Sequence, residues 1–529
     1  MSGYADLLLA RAEDDNLGLV FEGQRWTWAE IVQECANRTP LVRPGMHVGL
    51  LLDNLPDYLF WLGACALQGA ALVGINPTRR GAQLEADVAH TDIDLLVTEA
   101  KHRADVAAFE HVLVEELTVP RDVPLAVDPS VTDASTLLLL FTSGSTGAPK
   151  AVICSTGRYA RLAGNAQALF GLTKDDVLYQ SMPMFHGNAL MTSVASATFL
   201  GATLVLRRRF SAGAFLPDVR EHGCTFFNYV GRSLAYVLAT PPTEHDLDNR
   251  LRLGFGTEAS SRDMDAFQSR FGCRLMENYG SSEGAISIRR TPDTPRGALG
   301  VPPEGMPVAI LDEDGNECPR AVFNAHGALV NGDEAIGEIV GTNAAAAFEG
   351  YYNNTEAENQ RIVGTSYRTG DLGYRDEDGW FWFAGRGADW LRVDSENFAA
   401  APVETILNRW DPVVMVAVYP VPDVQTGDQV MAALELSGGR FDPEAFGAFL
   451  RDQPDLGTKW APRYVRLVSS MPLTGSNKVD KNPLRTEQWT AGDVWWRPGK
   501  DLHYEALTDE SRTRLRVQFA EHERADLLP

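Results

Sequence analysis

The run Phe141-Thr-Ser-Gly-Ser-Thr-Gly-Ala-Pro-Lys150 gathers hydroxyls, glycines and a lysine into one short stretch, directly after the apolar residues 137–140. A strand feeding such a loop offers free backbone N–H groups, hydroxyl donors and a positive charge, which together can cradle phosphate oxygens. The competing pattern is the P-loop, GxxxxGK[ST]. It fails twice here, because Pro149 precedes Lys150 and Ala151, neither Ser nor Thr, follows it. A plain surface turn uses Gly and Ser freely but has no need of the terminal Pro-Lys. The chemistry to look for is phosphate handling by a loop of another kind.

That run resembles the phosphate-binding loop of adenylate-forming (AMP-binding) enzymes, which include acyl-CoA synthetases, peptide-synthetase adenylation domains and luciferases. Four further strings follow in the family's order. Tyr279-Gly-Ser-Ser-Glu283 is similar to YGxTE, and Tyr367-Arg-Thr-Gly-Asp-Leu372 to the aromatic-RTGDL element. Phe383-Ala-Gly-Arg386, continuing through Asp389, is similar to GRxxD, and Pro472-Leu-Thr-Gly-Ser-Asn-Lys478 to PxTxxGK. Pro183-Met-Phe-His-Gly-Asn-Ala189, Gly350-Tyr-Tyr-Asn and Asp389-Trp-Leu-Arg-Val-Asp-Ser-Glu-Asn-Phe narrow the resemblance. They are similar to bacterial, notably actinobacterial, fatty-acyl-CoA synthetases of the fatty-acid-transport-protein type. Some relatives of that kind act on sterol side-chain acids.

The resemblance implies ATP-dependent activation of a carboxylic acid as acyl-AMP, then transfer to coenzyme A. Two anions must meet in the first step, so charge neutralisation and positioning dominate it. Thr142, Ser143, Gly144, Ser145, Thr146, Gly147 and Lys150 would hold the β- and γ-phosphates, and Glu283 with Thr146 would bind Mg2+. Tyr279, ahead of Gly280, Ser281 and Ser282, would offer its face to adenine. Gly256, Thr257 and Glu258 occupy the adenine loop, where a GGAP-like sequence is commoner. Asp371 would accept from the ribose hydroxyls, and Arg386 would contact ribose or phosphate.

Lys478 is the implied adenylation lysine, although Asn477 stands where Gly is usual and Lys481 is a nearby rival. His186 is expected near the acyl carboxylate. Met182, Met184, Phe185 and Met191 could line an acyl tunnel or simply fill the core. Gly387 and Ala388 suit a hinge on which a small C-terminal domain turns between the two half-reactions. Beyond that hinge Arg392 replaces a common Lys, keeping the charge but not the ammonium geometry. An acyl-AMP ligase feeding a carrier protein, and a catalytically inactive lipid-binding paralogue, are the alternatives.

These residues need a scaffold, and the sequence describes one. Short apolar runs at 48–52, 71–75, 95–98, 137–141, 203–206 and 225–230 alternate with helical spacing such as 58–69, the pattern of βαβ units and parallel sheets. After Thr291, closely spaced Gly, Pro and Asp pairs indicate a β-rich subdomain. A second α/β texture begins near Arg386, with helices at 402–409 and 442–451 and strands at 413–419 and 464–467. The expected fold is α/β: a large N-terminal domain over 1–386, and a small mobile α+β domain over 387–529 carrying the lysine.

At 529 residues the chain exceeds what one core usually organises. Its net charge of -24 argues against nucleic acid and anionic membrane surfaces, so ATP must be held against the overall field by local cations. Cys35, Cys65, Cys154, Cys224, Cys273 and Cys318 form no CxxC pair and read as buried, reduced thiols. The N-terminus lacks a signal-peptide pattern, and residues 190–206 are too interrupted for a membrane span and read as a buried helix running into a strand. A cytoplasmic enzyme of small-molecule acid, ATP and CoA is expected. Loose peripheral membrane contact through an apolar patch and the oligomeric state stay open.

Overall fold

The computed structural model describes residues 3–142, 150–324, 329–386, 390–393, 396–425, 427–457, 459–475 and 478–529, the side chains of Arg386, Trp390, Arg392, Glu396 and Asn397 excepted. The apolar runs become strands because buried parallel strands are covered on both faces and tolerate few polar residues. Four of them lie side by side in a seven-stranded sheet with the order Tyr351–Tyr352, Lys150–Ser155, Thr136–Thr142, Ala71–Gly74, His47–Leu51, Leu95–Thr98, His111–Leu113. The last five of these strands pair in parallel, and the first three are antiparallel.

A second, eight-stranded sheet runs Ser287–Arg289, Arg274–Gly280, Leu253–Thr257, Phe226–Val230, Val177–Gln180, Thr203–Leu206, Leu17–Phe21, Gln24–Thr27. Only its two outer strands are antiparallel to their neighbours. Between the sheets lies the main core, where Trp28, Trp61, Tyr58, Tyr159, Leu138 and Leu204 are among the buried side chains. The helix Asp57–Gln68 is buried along nearly all of its length, ends on Gly69 in the left-handed region at φ 68° and crosses this core. Met182, Met184 and Phe185 are buried in the same cluster, with Met191 packed against it, so these four are core residues.

The β-rich subdomain is an antiparallel sheet of Val308–Leu311, Gly337–Gly341, Ser366–Arg375, Ile362–Val363 and Phe381–Arg386. Residues 387–389, where the hinge was expected, lie outside the described residues. Beyond them come a ribbon, Trp390–Val393 with Glu396–Ala399, and a five-stranded sheet of Val413–Pro422, Asp428–Leu436, Tyr464–Leu467, Asp493–Trp496 and Glu505–Ala506. That sheet has cores of its own on its two faces, one around Phe446 and Val418, the other around Trp489 and Tyr419. Residues 190–206 form a π-helical turn within Asn188–Val194, the helix Ala195–Leu200 and then the strand Thr203–Leu206. Five of the six free cysteines are buried as expected; Cys318 is the exception and is half-exposed at a turn of the β-rich subdomain.

Candidate active site

The expected phosphate loop joins two antiparallel strands, with Thr142 paired to Lys150 across the ladder. Ser143, Gly144, Ser145, Thr146 and Gly147 lie outside the described residues. Thr142 and Lys150 mark where that loop leaves and returns. Lys150 is 8% exposed. Burial pushes its ammonium pKa down, the nearby Arg361 guanidinium adds to that, and the Glu283 carboxylate opposes it.

Glu283 is itself only 6% exposed, so it is no solvated turn carboxylate. It accepts a 2.8 Å hydrogen bond from the Tyr351 hydroxyl. Tyr351 is delivered by the short strand paired to Val152, next to Lys150. Burial first, then Glu283, holds the Tyr351 and Tyr367 phenols well above the ordinary tyrosine range. Two cations and one carboxylate converge here in a chain of charge -24, a local surplus suited to a polyanion. A buried carboxylate with oxygen lone pairs left over fits a hard divalent cation shared with phosphate oxygens.

The floor of the cleft is built from two close approaches. A Cβ on Gly256 would stand 2.4 Å from the Tyr229 carbonyl oxygen, and one on Gly231 1.9 Å from the Glu258 carbonyl oxygen. The strand Leu253–Thr257 therefore runs directly over the start of the helix Gly231–Leu238, and Glu258 takes a left-handed φ of 68°. Buried Glu277 accepts from the Ala259 N–H at 2.8 Å and fixes the turn. Its carboxyl is raised by burial, with Arg290 opposing.

On the facing side the Tyr279 hydroxyl donates to Asp371 Oδ2 at 2.8 Å, while the Asp371 N–H donates to Thr369 Oγ1. Asp371 sits opposite Arg386 in register; the side chains of Arg386 and Arg392 lie outside those described. Tyr279 thus orients the carboxylate expected to meet ribose. Gly280 and Ser281 are exposed, and Ser282 faces the turn after His186, 3.1 Å from where a Gly187 Cβ would stand.

The third side comes from the C-terminal body. Lys478 Nζ lies 2.8 Å from Glu258 Oε1. Its loop is braced by the Thr474 hydroxyl, which accepts from the Lys478 N–H, and by the Thr474 N–H on the Lys478 carbonyl. Gly475 presses on Asn76 of the large body, where a Cβ would come within 2.0 Å of Asn76 Nδ2. The rival Lys481 turns away and pairs at 2.8 Å with Glu404 of its own body. Geometry therefore separates the two lysines.

His186 keeps a little surface open, but protein surrounds it. That desolvation first, then the Lys478 ammonium, pushes its pKa down to about 4, against Glu258 and Glu283. Its Nδ1 accepts from the Asn188 N–H at 3.3 Å, which leaves the proton of the neutral ring on Nε2. Arg361, Tyr351 and Glu277 were missed by sequence reasoning. Of the three, Tyr351 alone stood in a quoted string, Gly350-Tyr-Tyr-Asn.

A lysine from one body, set at a cleft in the other beside a cation-rich phosphate corner, defines a ligase that works through a nucleotide. The chain belongs to the AMP-binding enzyme family: that family's model matches residues 9–352, and the AMP-binding enzyme C-terminal domain matches residues 402–478. It is 49% identical to the steroid-22-oyl-CoA synthetase of Rhodococcus jostii, over 99% of this chain and 98% of that protein. It is 43% identical to the medium/long-chain-fatty-acid–CoA ligase FadD17 of Mycobacterium tuberculosis, over 93% of this chain and 97% of that one. The anthranilate CoA ligase AuaEII, solved with anthranoyl-AMP, superposes with a TM-score of 0.80 at 20% identity, over 91% of this chain and 96% of its own, and shares the fold.

Proposed function

We propose that this enzyme converts a carboxylic acid, ATP and CoA into acyl-CoA, AMP and pyrophosphate through an acyl-adenylate. The observation that carries the reading is Lys478, brought from the C-terminal body to within 2.8 Å of Glu258 beside neutral His186. An ammonium there can neutralise charge between an acid carboxylate and an α-phosphate as their bond forms. The carboxylate oxygen attacks phosphorus and pyrophosphate leaves. The CoA thiolate then attacks the acyl carbon and AMP leaves. Lys150, Arg361 and the hydroxyl loop neutralise the departing pyrophosphate, and Asp371 takes the ribose.

Mg2+, when bound, would be held by Glu283 and Thr146 and would supply further neutralisation of the phosphates. The two bodies act as domains over 1–386 and 387–529, the second turning on residues 387–389. No helix among the described residues is long and apolar enough to cross a membrane, which agrees with work in the cytoplasm.

The relatives named for steroid-22-oyl and medium/long-chain fatty acids support one of those two classes as substrate. The test is pyrophosphate release with MgATP over a panel of fatty acids and steroid side-chain acids, with and without CoA, for the unaltered enzyme and Lys478→Ala. Acid-dependent release that yields a CoA thioester and collapses in the variant is expected. Release with no thioester would instead assign an acyl-AMP ligase.

A further inference from the structure

The Lys478 loop is tied to the large body by a chain of hydrogen bonds that starts on the helix Gly231–Leu238. The Tyr236 hydroxyl donates to Glu435 Oε2 at 3.3 Å. Glu435 belongs to the strand Asp428–Leu436 and is 9% exposed. The same oxygen accepts from the Met471 N–H at 2.7 Å. Met471 is buried and immediately precedes the 472–478 segment. On the same helix Arg232 lies over the Tyr236 ring, 4.6 Å from its centroid, and donates to the Tyr236 hydroxyl and to Ser470 Oγ. One helix therefore grips both residues at the root of the lysine loop, while Glu258, at the helix's own start, meets the ammonium at its tip.

Arg232 gives this grip a second property. Its Nε and Nη1 are buried without a partner among the described residues. Buried unpaired donors cost free energy that contact with water would return.

We propose that Tyr236 and Glu435 form a latch that positions Lys478 for the adenylation half-reaction. It acts through the Met471 N–H and the lysine loop and touches no substrate. This rests on the reading of Lys478 given above. The latch serves only the step that uses Lys478, so transfer of a ready-made acyl-adenylate to CoA does not depend on it.

Two measurements test it, on Tyr236→Phe in the full chain. The first is the rate at which an amine-reactive acetylating reagent labels Lys478, read by peptide mass spectrometry against the exposed Lys174 and Lys500. The second is a pair of half-reactions: acid-dependent exchange of pyrophosphate into ATP, and conversion of supplied acyl-adenylate to thioester. Lys478 should label severalfold faster, with the two reference lysines unchanged. Exchange should fall about fivefold, the worth of one hydrogen bond, while transfer stays within twofold of the unaltered enzyme.

On a Lys478→Ala background the Tyr236→Phe change should add no further loss, since both act through one group. Unchanged labelling overturns the latch whatever the activities do. Equal losses in both half-reactions, or a further loss on the Lys478→Ala background, overturn its role in positioning. A wrong reading of the reaction would appear first in the unaltered enzyme and leave the labelling result standing.

Discussion

Two lysines three residues apart in sequence face opposite ways, and that orientation assigns them different work. Lys478 reaches Glu258 across the seam, whereas Lys481 pairs with Glu404, whose carboxylate also accepts from the Val418 N–H. Lys478→Ala is expected to cut adenylation by about 10²–10³, the loss seen when one donor at a developing charge is removed. Lys481→Ala should leave adenylation nearly intact and cost about 1–2 kcal/mol of stability, read as a lower unfolding midpoint. Pyrophosphate release and denaturant titration on the two variants check both outcomes.

His186 supplies a prediction in pH. Its folded pKa, about 4, lies below the ordinary 6.5 because burial and then Lys478 disfavour the charged ring, outweighing Glu258 and Glu283. The unfolded chain therefore takes up the proton first as pH falls. The stability that the neutral histidine contributes is complete above pH 6.5 and drains away between 6.5 and 4, at up to about 1.4 kcal/mol per pH unit. His186→Asn keeps an acceptor near the position of Nδ1 and does not titrate. Unfolding midpoints measured across that window should fall less steeply for the variant, and identical slopes would remove His186 as the source.

At the scale of elements, the helix Gly231–Leu238 matters because the strand above it leaves no room. A Gly231→Ala methyl would meet the Glu258 carbonyl at 1.9 Å, and backbone cannot step aside as a side-chain end can. A cost of about 1–3 kcal/mol, with a raised KM for ATP as the 256–259 turn shifts, is expected from denaturant titration and kinetics together. Gly164, inside the helix Thr156–Phe170, has open space around its Cβ position. Gly164→Ala should therefore stabilise by about 0.5–1 kcal/mol with no change in KM.

These elements also show what could be read in the sequence. The runs at 95–98, 203–206 and 464–467 match their strands residue for residue, the first two because strands buried at three of their four residues are near-continuous apolar stretches, the third although Arg466 interrupts it. The pairing of Thr136–Thr142 with Lys150–Ser155 had no such signal, since a run of leucines does not state the direction of its neighbour. Lys150, Glu283, Asp371 and Lys478 were legible because each sits in a recognisable string. Arg361 and Glu277 were not. They act through contacts with residues far away in the chain, such as Glu283 and Ala259 respectively, and no local spacing announces a tertiary contact.

For the whole molecule, the unresolved contest is between its global field and its local one. The chain carries -24, while Lys150, Arg361 and Lys478 present positive charge at the cleft. ATP approaching from solution meets the net negative field first and the cations only at contact. Salt acts on the two unequally, because the Debye length shrinks from about 30 Å at 0.01 M to about 8 Å at 0.15 M. Over that range the long-range repulsion is largely removed, whereas contacts a few ångströms long, with Lys150 only 8% exposed, are screened far less. The KM for ATP should accordingly fall severalfold between those salt concentrations, at saturating acid, CoA and magnesium. A KM that rises instead would mean that the cleft's own cations already reach beyond the acidic surface and steer the nucleotide in.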